Sequence, residues 1–369
     1  MALRVPLAPL FRWVSALVAA GLAVADLLTA DGPDRTRPIV IAHRGASGER
    51  PEHTLEAYRL AVDQGADFVE PDLVATRDSV LVCRHENEIS GTTDVASRPE
   101  FAARRATKSI DGAVVTGWFT EDFTLAELKL LRARERLPHL RGTGFDGRLE
   151  IPTFEEVLAL VASFNARKER RGRPVGVYPE TKHPSYFQGL GIPLEKPLLE
   201  ALHRHGLDHA GASVFVQSFE VSNLRALANE TRVPLVQLAD AEGGPWDSAS
   251  GRSAPTYADM LRPEGLREIA TYARGIGVNK SLVIPPDRGG RSASPTRLVR
   301  DAHAAGLLVH VWTLRAENAF LPEERHRGEE PSAHGDMAGE VRLFLETGVD
   351  GLFTDHPAIA VAARDAFAP

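Results

Sequence analysis

The chain has 369 residues, of which 43% are hydrophobic and 25% are charged, as in an ordinary folded protein. Its formal net charge is -7, with 43 basic against 50 acidic residues, which argues against nucleic acid as the natural partner. The single cysteine, Cys83, excludes an intrachain disulfide, and its apolar neighbours predict a small buried side chain rather than a nucleophile.

The first 25 residues differ from the rest of the chain, because they carry two arginines, no acidic residue and an apolar run from Trp13 to Ala25. The run is shorter than the roughly 20 residues that cross a bilayer. Its last three residues, from Ala23 onward, have the small-x-small form of a signal-peptidase site. We predict a signal peptide over residues 1–25, with cleavage there or as late as residue 30, and an exported protein that is periplasmic or extracellular. An uncleaved membrane anchor is the alternative.

From residue 38 onward, short runs rich in β-branched residues alternate with longer amphipathic runs. Eight strand regions are predicted, the second with a hairpin partner: 38–43, 67–75 with 80–85, 175–182, 213–219, 234–239, 275–283, 307–314 and 351–355. Helices are predicted at 54–64, 153–168, 194–205, 264–274, 296–305, 338–347 and 358–368. This alternation over residues 38–365 favours a single α/β domain, a closed TIM (β/α)8 barrel, over an open sheet.

Residues 86 to about 150 interrupt this alternation. They are polar and loop-rich, and they contain only one short helical run, at 124–134. Connections of this length inside a compact domain are usually functional. We interpret the segment as an insertion after the second strand region that covers one mouth of the barrel.

Charged side chains cluster where the predicted strands end, and the carboxyl ends of the strands form the working mouth of such a barrel. The first strand ends in His43 and Arg44. The second region carries Glu70 and Asp72, which lie two residues apart and therefore share one face. Its hairpin partner ends at His85.

The third strand adds Glu180 and Lys182 to this mouth. Three carboxylates from neighbouring strands are not expected to be buried bare, since each unpaired buried charge costs several kcal/mol. Either they are protonated or cations lie among them. Oxygen-only ligand sets suit Ca²⁺ or Mg²⁺, so we predict a divalent cation at Glu70, Asp72 and Glu180. A salt-bridge cluster with neighbouring cationic side chains is the alternative.

The two histidines indicate proton transfer. A pair of imidazoles that face each other across a metal can divide general acid and general base work near neutral pH. With the cationic side chains and the metal stabilising charge on phosphate oxygens, His43 and His85 are consistent with a phosphoryl-transfer site.

These residues lie in segments that resemble a known family. The stretches AHRGASGERPEHTLEAY, GADFVEPDLVATRDSVLVCRHE, TDVA, IPTFEEVL and VYPETK resemble the glycerophosphodiester phosphodiesterases, especially the exported bacterial branch. The resemblance extends from Ile39 to the closing GLFTDHP. It implies a TIM barrel with an insertion after the second histidine. It also implies hydrolysis of a small-molecule phosphodiester, such as glycerophosphocholine, to glycerol 3-phosphate and an alcohol.

Position by position, the resemblance implies that His43 and His85 are the catalytic residues. It implies that Glu70, Asp72 and Glu180 are the metal ligands, with Ca²⁺ favoured over Mg²⁺. In the family, the glycerol hydroxyl of the substrate is thought to attack phosphorus and form a cyclic phosphate, which water then opens.

The remaining matched positions concern the substrate. The resemblance implies that Arg44 and Lys182 contact the phosphate. Phe219 and Trp312 fall where the family places apolar side chains near the glycerol moiety. Glu86 departs from the family pattern, which commonly has aspartate after the histidine, but the change is conservative.

Two other functions stay open on the sequence alone. A lipid-cleaving barrel enzyme, of phospholipase D-like or lysophospholipid-cleaving type, would present an apolar rim to a membrane, and Trp118, Phe119 and Phe123 of the insertion could form one. Membrane contact therefore stays open, and the sequence does not determine the oligomeric state. A surface binding protein on this scaffold is less consistent with the sequence, because it need not keep the histidines and carboxylates together.

Overall fold

The computed structural model describes residues 37–167, 173–248 and 255–367, so the predicted signal peptide lies outside the described residues. The strands in these ranges are Ile39–His43 (β1), Phe68–Glu70 (β2), Asp72–Ala75 (β3), Leu81–Cys83 (β4), Ala106–Ile110 (β5), Ala113–Gly117 (β6), Gly176–Val177 (β7), Glu180–Thr181 (β8), Val216–Ser218 (β9), Leu235–Ala239 (β10), Gly275–Asn279 (β11), Leu308–Leu314 (β12) and Gly351–Thr354 (β13).

Parallel pairing closes these strands into a barrel. The segments β2 and β3 form one strand interrupted at Pro71, and β7 and β8 form another interrupted at Pro179. Strand β1 pairs with β13 on one side and β2 on the other, and parallel pairing runs on through β7 and β8, β9, β10, β11 and β12 back to β13. The predicted TIM barrel is confirmed, and β4 is the antiparallel hairpin partner of β3.

The two prolines shape the mouth of the barrel. Proline has no N–H to donate, and regular strand pairing is interrupted at Pro71 and at residues 178–179 and resumes at the residue after each proline. Glu70 and Asp72 lie on either side of the first break. When pairing resumes, Asp72 lies opposite Glu180, so the breaks bring the carboxylates of two strands together.

Helices follow the strands along the chain. They are Leu55–Asp63 (α1), Leu125–Leu128 (α2), Phe154–Asn165 (α3), Pro184–Gly189 (α4), Glu195–Arg204 (α5), Val221–Glu230 (α6), Tyr257–Met260 (α7), Pro263–Ile269 (α8), Lys280–Val283 (α9), Leu298–Ala304 (α10), Met337–Glu346 (α11) and Pro357–Asp365 (α12). The side chains of Thr54 and Thr153 accept backbone hydrogen bonds at the starts of α1 and α3. Among the described residues, no helix is both long and apolar enough to cross a membrane.

One predicted strand is wrong in its second half. The apolar run 275–283 predicts strand throughout, but β11 ends at Asn279 and the last four residues form helix α9. The Asn279 side chain accepts a hydrogen bond from the Ser281 N–H at 3.0 Å, which caps the helix. Helices α4 and α6 lie in stretches where the sequence pattern by itself predicts no helix.

A packed cluster fills the barrel interior. Ile41, Tyr178, Val236 and Phe353 are buried there, and the Tyr178 hydroxyl lies 2.7 Å from Nδ1 of the buried His310. The barrel is therefore a core and not a pore, as is usual for this fold. Cys83 is buried and free, as predicted.

Apolar side chains of the insertion pack into the same core cluster as those of β3 and β4. The insertion contains helix α2 and the hairpin β5–β6, which the sequence does not predict. Trp118, Phe119 and Phe123 are all buried, and the Phe123 ring packs edge to face on Phe101 with centroids 5.1 Å apart. The expectation that these three aromatic side chains could form an exposed rim is therefore wrong, because they stabilise the insertion internally.

Arg84 ties the insertion to the barrel at the end of β4. Its side chain is fully buried and donates hydrogen bonds to four main-chain oxygens, those of Cys83 (2.7 Å), Glu52 (2.5 Å), His53 (3.1 Å) and Thr92 (3.1 Å). Two of these acceptors belong to the loop between β1 and α1, so one guanidinium holds that loop and the start of the insertion together.

We expect Arg84→Met to lower the free energy of unfolding by about 3 kcal/mol or more, because it leaves buried carbonyl groups without donors. Urea denaturation followed by circular dichroism measures the change. Arg77→Met is the control, since the Arg77 side chain is 55% exposed, and it should change the free energy by less than about 0.5 kcal/mol. Equal losses in the two variants would contradict this role of Arg84.

Candidate active site

A cavity of about 380 Å³, the main cavity, opens where the barrel strands end. Eight of the nine predicted site residues line it: His43, Arg44, Glu70, His85, Glu180, Lys182, Phe219 and Trp312. The ninth, Asp72, is buried beside them, and carboxylate oxygens of Glu70, Asp72 and Glu180 lie within 4.8 Å of one another. The fold thus brings all nine residues to one place, while their chemical roles stay predictions.

The three carboxylates repel one another. Burial, together with the charges of Asp72 and Glu180, raises the pKa of Glu70 well above its usual value. Burial also raises the pKa of Glu180 to about 7. For Asp72, burial opposes ionisation, but Lys182 and His53 hold its pKa well below the usual range. Burial and mutual repulsion thus oppose ionisation of Glu70 and Glu180, and a cation among the three carboxylates would favour their ionised forms.

Hydrogen bonding supports the same conclusion. Among the described residues, Asp72 Oδ1 and Gln217 Oε1 are buried oxygens without a hydrogen-bond donor, which is unusual for buried acceptors. Gln217 Nε2 donates to Glu70 Oε1 at 2.8 Å, so its free oxygen lies beside the carboxylates. A set of carboxylate and amide oxygens fits a hard divalent cation such as Ca²⁺ or Mg²⁺.

Ion pairs also occur in this cluster, as the salt-bridge alternative predicts. Lys182 Nζ lies 2.8 Å from Glu180 Oε1, and Arg44 Nε lies 3.4 Å from Asp72 Oδ2. With all three carboxylates ionised, as metal ligands would be, these two cations compensate the negative charge only in part. The cluster therefore combines salt bridges with a place for a cation.

His43 is held by a carboxylate on the neighbouring strand. Because Ala42 lies opposite Thr354 in the pairing of β1 with β13, the next residues, His43 and Asp355, lie side by side. His43 Nδ1 donates to Asp355 Oδ1 at 2.6 Å, since a carboxylate can only accept. This bond leaves Nε2 for proton exchange with a substrate. Burial and the charge of Arg44 lower the pKa of His43 to about 4, so the imidazole is neutral at pH 7.

His85 has the same arrangement with a sequence neighbour. Its Nδ1 donates to Glu86 Oε1 at 2.6 Å, and its side chain is 29% exposed. Burial and the charges of Arg44 and Lys182 lower the pKa of His85 to about 3. Both histidines are therefore neutral bases whose Nδ1 atoms are fixed by carboxylates.

Arg44 adopts an unusual backbone conformation. Its φ of 61° lies in the left-handed region, which side chains larger than glycine seldom occupy. In this conformation its N–H donates to Glu70 Oε2 at 3.0 Å, and its guanidinium donates to Glu52 Oε2 at 3.1 Å. Strain of this kind is typical of functional sites. The arginine is thereby held between two carboxylates at the edge of the main cavity.

Aromatic side chains form one wall of the main cavity. The rings of Phe219 and Trp312 meet edge to face with centroids 6.0 Å apart. Lys182 Nζ lies 5.7 Å from the Phe219 centroid, within reach of a cation–π interaction. The apolar wall is therefore next to the lysine that, by the family resemblance, is expected to contact the phosphate.

Several residues of the site were missed by sequence reasoning. Asp355 is the last residue of the predicted strand 351–355, and Arg315 directly follows the predicted strand 307–314, so the strand-end rule could have found both. Gln217 lies near the end of the predicted strand 213–219, where no sequence signal assigns it a role. His53 Nε2 lies 2.9 Å from Asp72 Oδ2, but His53 is in a loop and gives no such signal.

Residues 43–359 match the glycerophosphoryl diester phosphodiesterase family. The chain belongs to this family. A glycerophosphodiester phosphodiesterase of Arabidopsis thaliana is 36% identical to it over 332 residues, which cover 87% of this chain and 84% of that protein. One of Bacillus subtilis is 30% identical and covers 88% of this chain and 85% of that protein. Since the relatives include plant and bacterial proteins, membership of the exported bacterial branch stays a prediction.

Solved structures of glycerophosphoryl diester phosphodiesterase family members and related phosphodiesterases share the fold. An Oleispira antarctica phosphodiesterase, solved in complex with the product sn-glycerol-3-phosphate, matches with a TM-score of 0.57 at 20% identity over 90% of this chain and 98% of that chain. A glycerophosphoryl diester phosphodiesterase from Parabacteroides distasonis matches with a TM-score of 0.53 at 16% identity over 94% and 93%. At these low sequence identities, the similarity to the solved structures supports the barrel fold alone.

We expect Asp72→Asn to weaken Ca²⁺ binding about tenfold or more, because the amide keeps the shape of the side chain but loses its charge. Isothermal titration calorimetry with Ca²⁺, and with Mg²⁺ in parallel, measures the affinity. Asp63→Asn is the matched control, because Asp63 is exposed at the end of α1, and it should bind like the unaltered protein. Undiminished binding by Asp72→Asn would rule out this ligand assignment.

Proposed function

We propose that this protein is a metal-dependent phosphodiesterase that hydrolyses glycerophosphodiesters to glycerol 3-phosphate and an alcohol. The observation that carries the proposal is the juxtaposition of two carboxylate-bound histidines with three carboxylates and two cationic side chains around one cavity. Membership of the family supports it, as does the complex of the Oleispira antarctica phosphodiesterase with sn-glycerol-3-phosphate.

The chain's own residues supply proton transfer and charge. Arg44 and Lys182 bind the phosphate and offset its charge. One neutral histidine takes the proton of the attacking glycerol hydroxyl, and the other takes a proton from the solvent and gives it to the departing alcohol. A cyclic phosphate and the free alcohol result. Water then opens the cyclic phosphate with the two histidines in exchanged roles, which yields glycerol 3-phosphate.

Glu70, Asp72 and Glu180 would hold the divalent cation. When bound, the cation supplies positive charge to the phosphate oxygens. We propose Ca²⁺ before Mg²⁺, because Mg²⁺ is usually bound through one or two carboxylates and keeps several waters. Three carboxylates with the free Gln217 oxygen beside them suit the larger coordination number of Ca²⁺.

We also propose that the departing alcohol is cationic, as in glycerophosphocholine. A second cavity of about 300 Å³, the side cavity, shares Glu180, Lys182 and Phe219 with the main cavity, so an alcohol attached to a bound phosphate could enter it. Its position next to Lys182 fits a substrate whose phosphate lies between the two cavities.

The lining of the side cavity suits a positive charge. Aromatic rings of Trp246 and Tyr257 and the carboxylates of Asp111 and Glu220 line it. Aromatic faces combined with carboxylates are the usual environment for quaternary ammonium groups. Asp111 Oδ2 accepts from His183 Nδ1 at 2.6 Å, and Asp111 Oδ1 has no donor among the described residues.

The lipid-cleaving alternative loses the feature that favoured it, since the three aromatic side chains of the insertion are buried. A binding protein without activity would not require two histidines each fixed through Nδ1. Export to the periplasm or the extracellular space stays part of the proposal on the strength of residues 1–25 alone.

We expect the purified protein to release glycerol 3-phosphate from glycerophosphocholine, and we expect EDTA to abolish this activity and lower the melting temperature. The loss of stability follows because an ion that binds only the folded state stabilises it. Enzyme-coupled detection of glycerol 3-phosphate and a thermal melt measure the two effects. Added Ca²⁺ should restore both.

Variants of the two histidines test whether the measured activity comes from this protein or from a contaminating enzyme. His43→Ala and His85→Ala should each lower kcat by about 100-fold or more with the fold retained, whereas His139→Ala, at an exposed position of the insertion, should keep full activity. Turnover that survives both chelation and the loss of either histidine would refute the proposed mechanism.

We expect Asp111→Asn to raise KM for glycerophosphocholine by about threefold or more, because it removes a charge from the side cavity. Glycerophosphoglycerol, which has a neutral alcohol, is the control substrate, and its KM should stay unchanged. Steady-state kinetics measure KM for each of the two substrates in Asp111→Asn and in the unaltered protein. Equal changes in KM for both substrates would count against a subsite for cationic alcohols.

A further inference from the structure

Two arginines of the insertion lie behind the two histidines. Neither Arg136 nor Arg141 lines the main cavity, so neither is placed to bind the substrate there. Each donates to the carboxylate that holds a histidine through Nδ1. The insertion therefore reaches both proton-transfer groups through a second layer of side chains.

Arg136 connects two carboxylates at the His85 side. Its guanidinium donates to both oxygens of Glu86 at 2.9 and 2.6 Å, and to both oxygens of Glu52 at 2.7 Å each. The Glu86 oxygen at 2.9 Å is the one that accepts from His85 Nδ1. Such two-pronged bonds fix the plane and position of a carboxylate, so the orientation of His85 depends on Arg136.

Arg141 holds the His43 side. It is 7% exposed and donates to Asp355 Oδ2 at 2.6 Å and to Glu317 Oε1 at 2.6 Å. It also donates to the main-chain oxygen of Ser47 at 3.0 Å, and the Ser47 hydroxyl in turn donates to the main-chain oxygen of His43 at 2.7 Å. Both the side chain and the backbone of His43 are thus linked to this arginine.

We propose that Arg136 and Arg141 are positioning residues, by which the insertion orients His85 through Glu86 and His43 through Asp355. The inference rests on the proposed function, since it assigns proton transfer to the two histidines. It gives the insertion a part in the reaction that differs from covering the cavity. Orientation matters because misplacing a reacting group by about 1 Å can cost about 100-fold in rate.

The charges in this second layer favour the same arrangement. Although burial opposes ionisation, His85 and Arg136 hold the pKa of Glu86 below its usual value. For Asp355, burial is likewise outweighed by Arg315, His43 and Arg141, which hold its pKa well below its usual value. Both carboxylates therefore stay ionised and accept from Nδ1–H, which keeps Nε2 of each histidine in the form that can take a proton.

Asp355, behind His43, and Glu86, behind His85, differ in the number of arginines that contact them. Arg315 Nε donates to Asp355 Oδ2 at 2.7 Å, so Asp355 keeps a cationic partner when Arg141 is removed. Among the described contacts of Glu86, Arg136 is the only arginine or lysine. The loss of Arg136 should therefore have the larger effect.

The test compares steady-state kinetics of metal-loaded variants on glycerophosphocholine. Arg136→Gln should lower kcat by about tenfold or more while KM changes by less than about threefold. Arg141→Gln should lower kcat by a smaller factor, with KM likewise unchanged. Arg104→Gln is the matched control, because Arg104 pairs with Glu127 inside the insertion and contacts neither carboxylate of the histidines. It should keep kcat within about twofold.

A double variant separates positioning from mere stabilisation of the insertion. If Arg136 acts through Glu86, adding Arg136→Gln to Glu86→Gln should lower kcat by less than about twofold further. A fall by the full product of the single effects would overturn the proposal. So would a KM that rises in step with the fall in kcat, or arginine variants that behave like Arg104→Gln.

Thermal melts accompany each measurement. If a glutamine variant melts below the assay temperature, the lysine variant at the same position replaces it, since lysine keeps the charge but lacks the two-pronged geometry. Arg136→Lys should still lose activity relative to the unaltered protein, and full activity would overturn the proposal. A wild-type protein without glycerophosphodiesterase activity would refute the proposed function instead, so the two failures are distinguishable.

Discussion

Mutual repulsion among Glu70, Asp72 and Glu180 is the constraint on which the rest of the site depends. Three carboxylates buried within 4.8 Å of one another are unfavourable unless positive charge is brought to them. Arg44 and Lys182 supply part of that charge, and the remaining deficit suits a divalent cation. Under the proposed function, a bound cation would also offset the repulsion between these carboxylates and an anionic phosphodiester.

The barrel produces this crowding through two prolines. Strands interrupted at Pro71 and Pro179 resume with Asp72 opposite Glu180, at the mouth where parallel strands end together. The same parallel register places His43 between Glu70 on one neighbouring strand and Asp355 on the other side. His43 and the proposed metal ligands are thus positioned by backbone pairing, which is the most rigid part of the fold.

The insertion completes the site from outside the barrel. Its apolar side chains share a core cluster with β3 and β4, and Arg84 fixes its start to the loop that follows β1. From this base, Arg136 and Arg141 reach the carboxylates behind the histidines. A long connection that looks like a lid in the sequence also supports the reacting groups from behind, and the side cavity takes Asp111 from its hairpin.

The sequence by itself determined the barrel and seven of the nine candidate residues, because strand and helix periodicity and the positions of strand ends are local properties that hydrophobic patterning records. Phe219 and Trp312 rested on the resemblance to the family. Even in the barrel, the run ending at Val283 turned into a helix, since an asparagine cap outweighed its strand-like composition. The sequence did not predict the carboxylates and arginines that hold the two histidines. Asp355 meets His43 across 312 residues of chain, and Arg136 meets Glu52 across 84. Only the tertiary structure decides such contacts, because they depend on barrel closure and on the path of the insertion, and neither leaves a periodic signal.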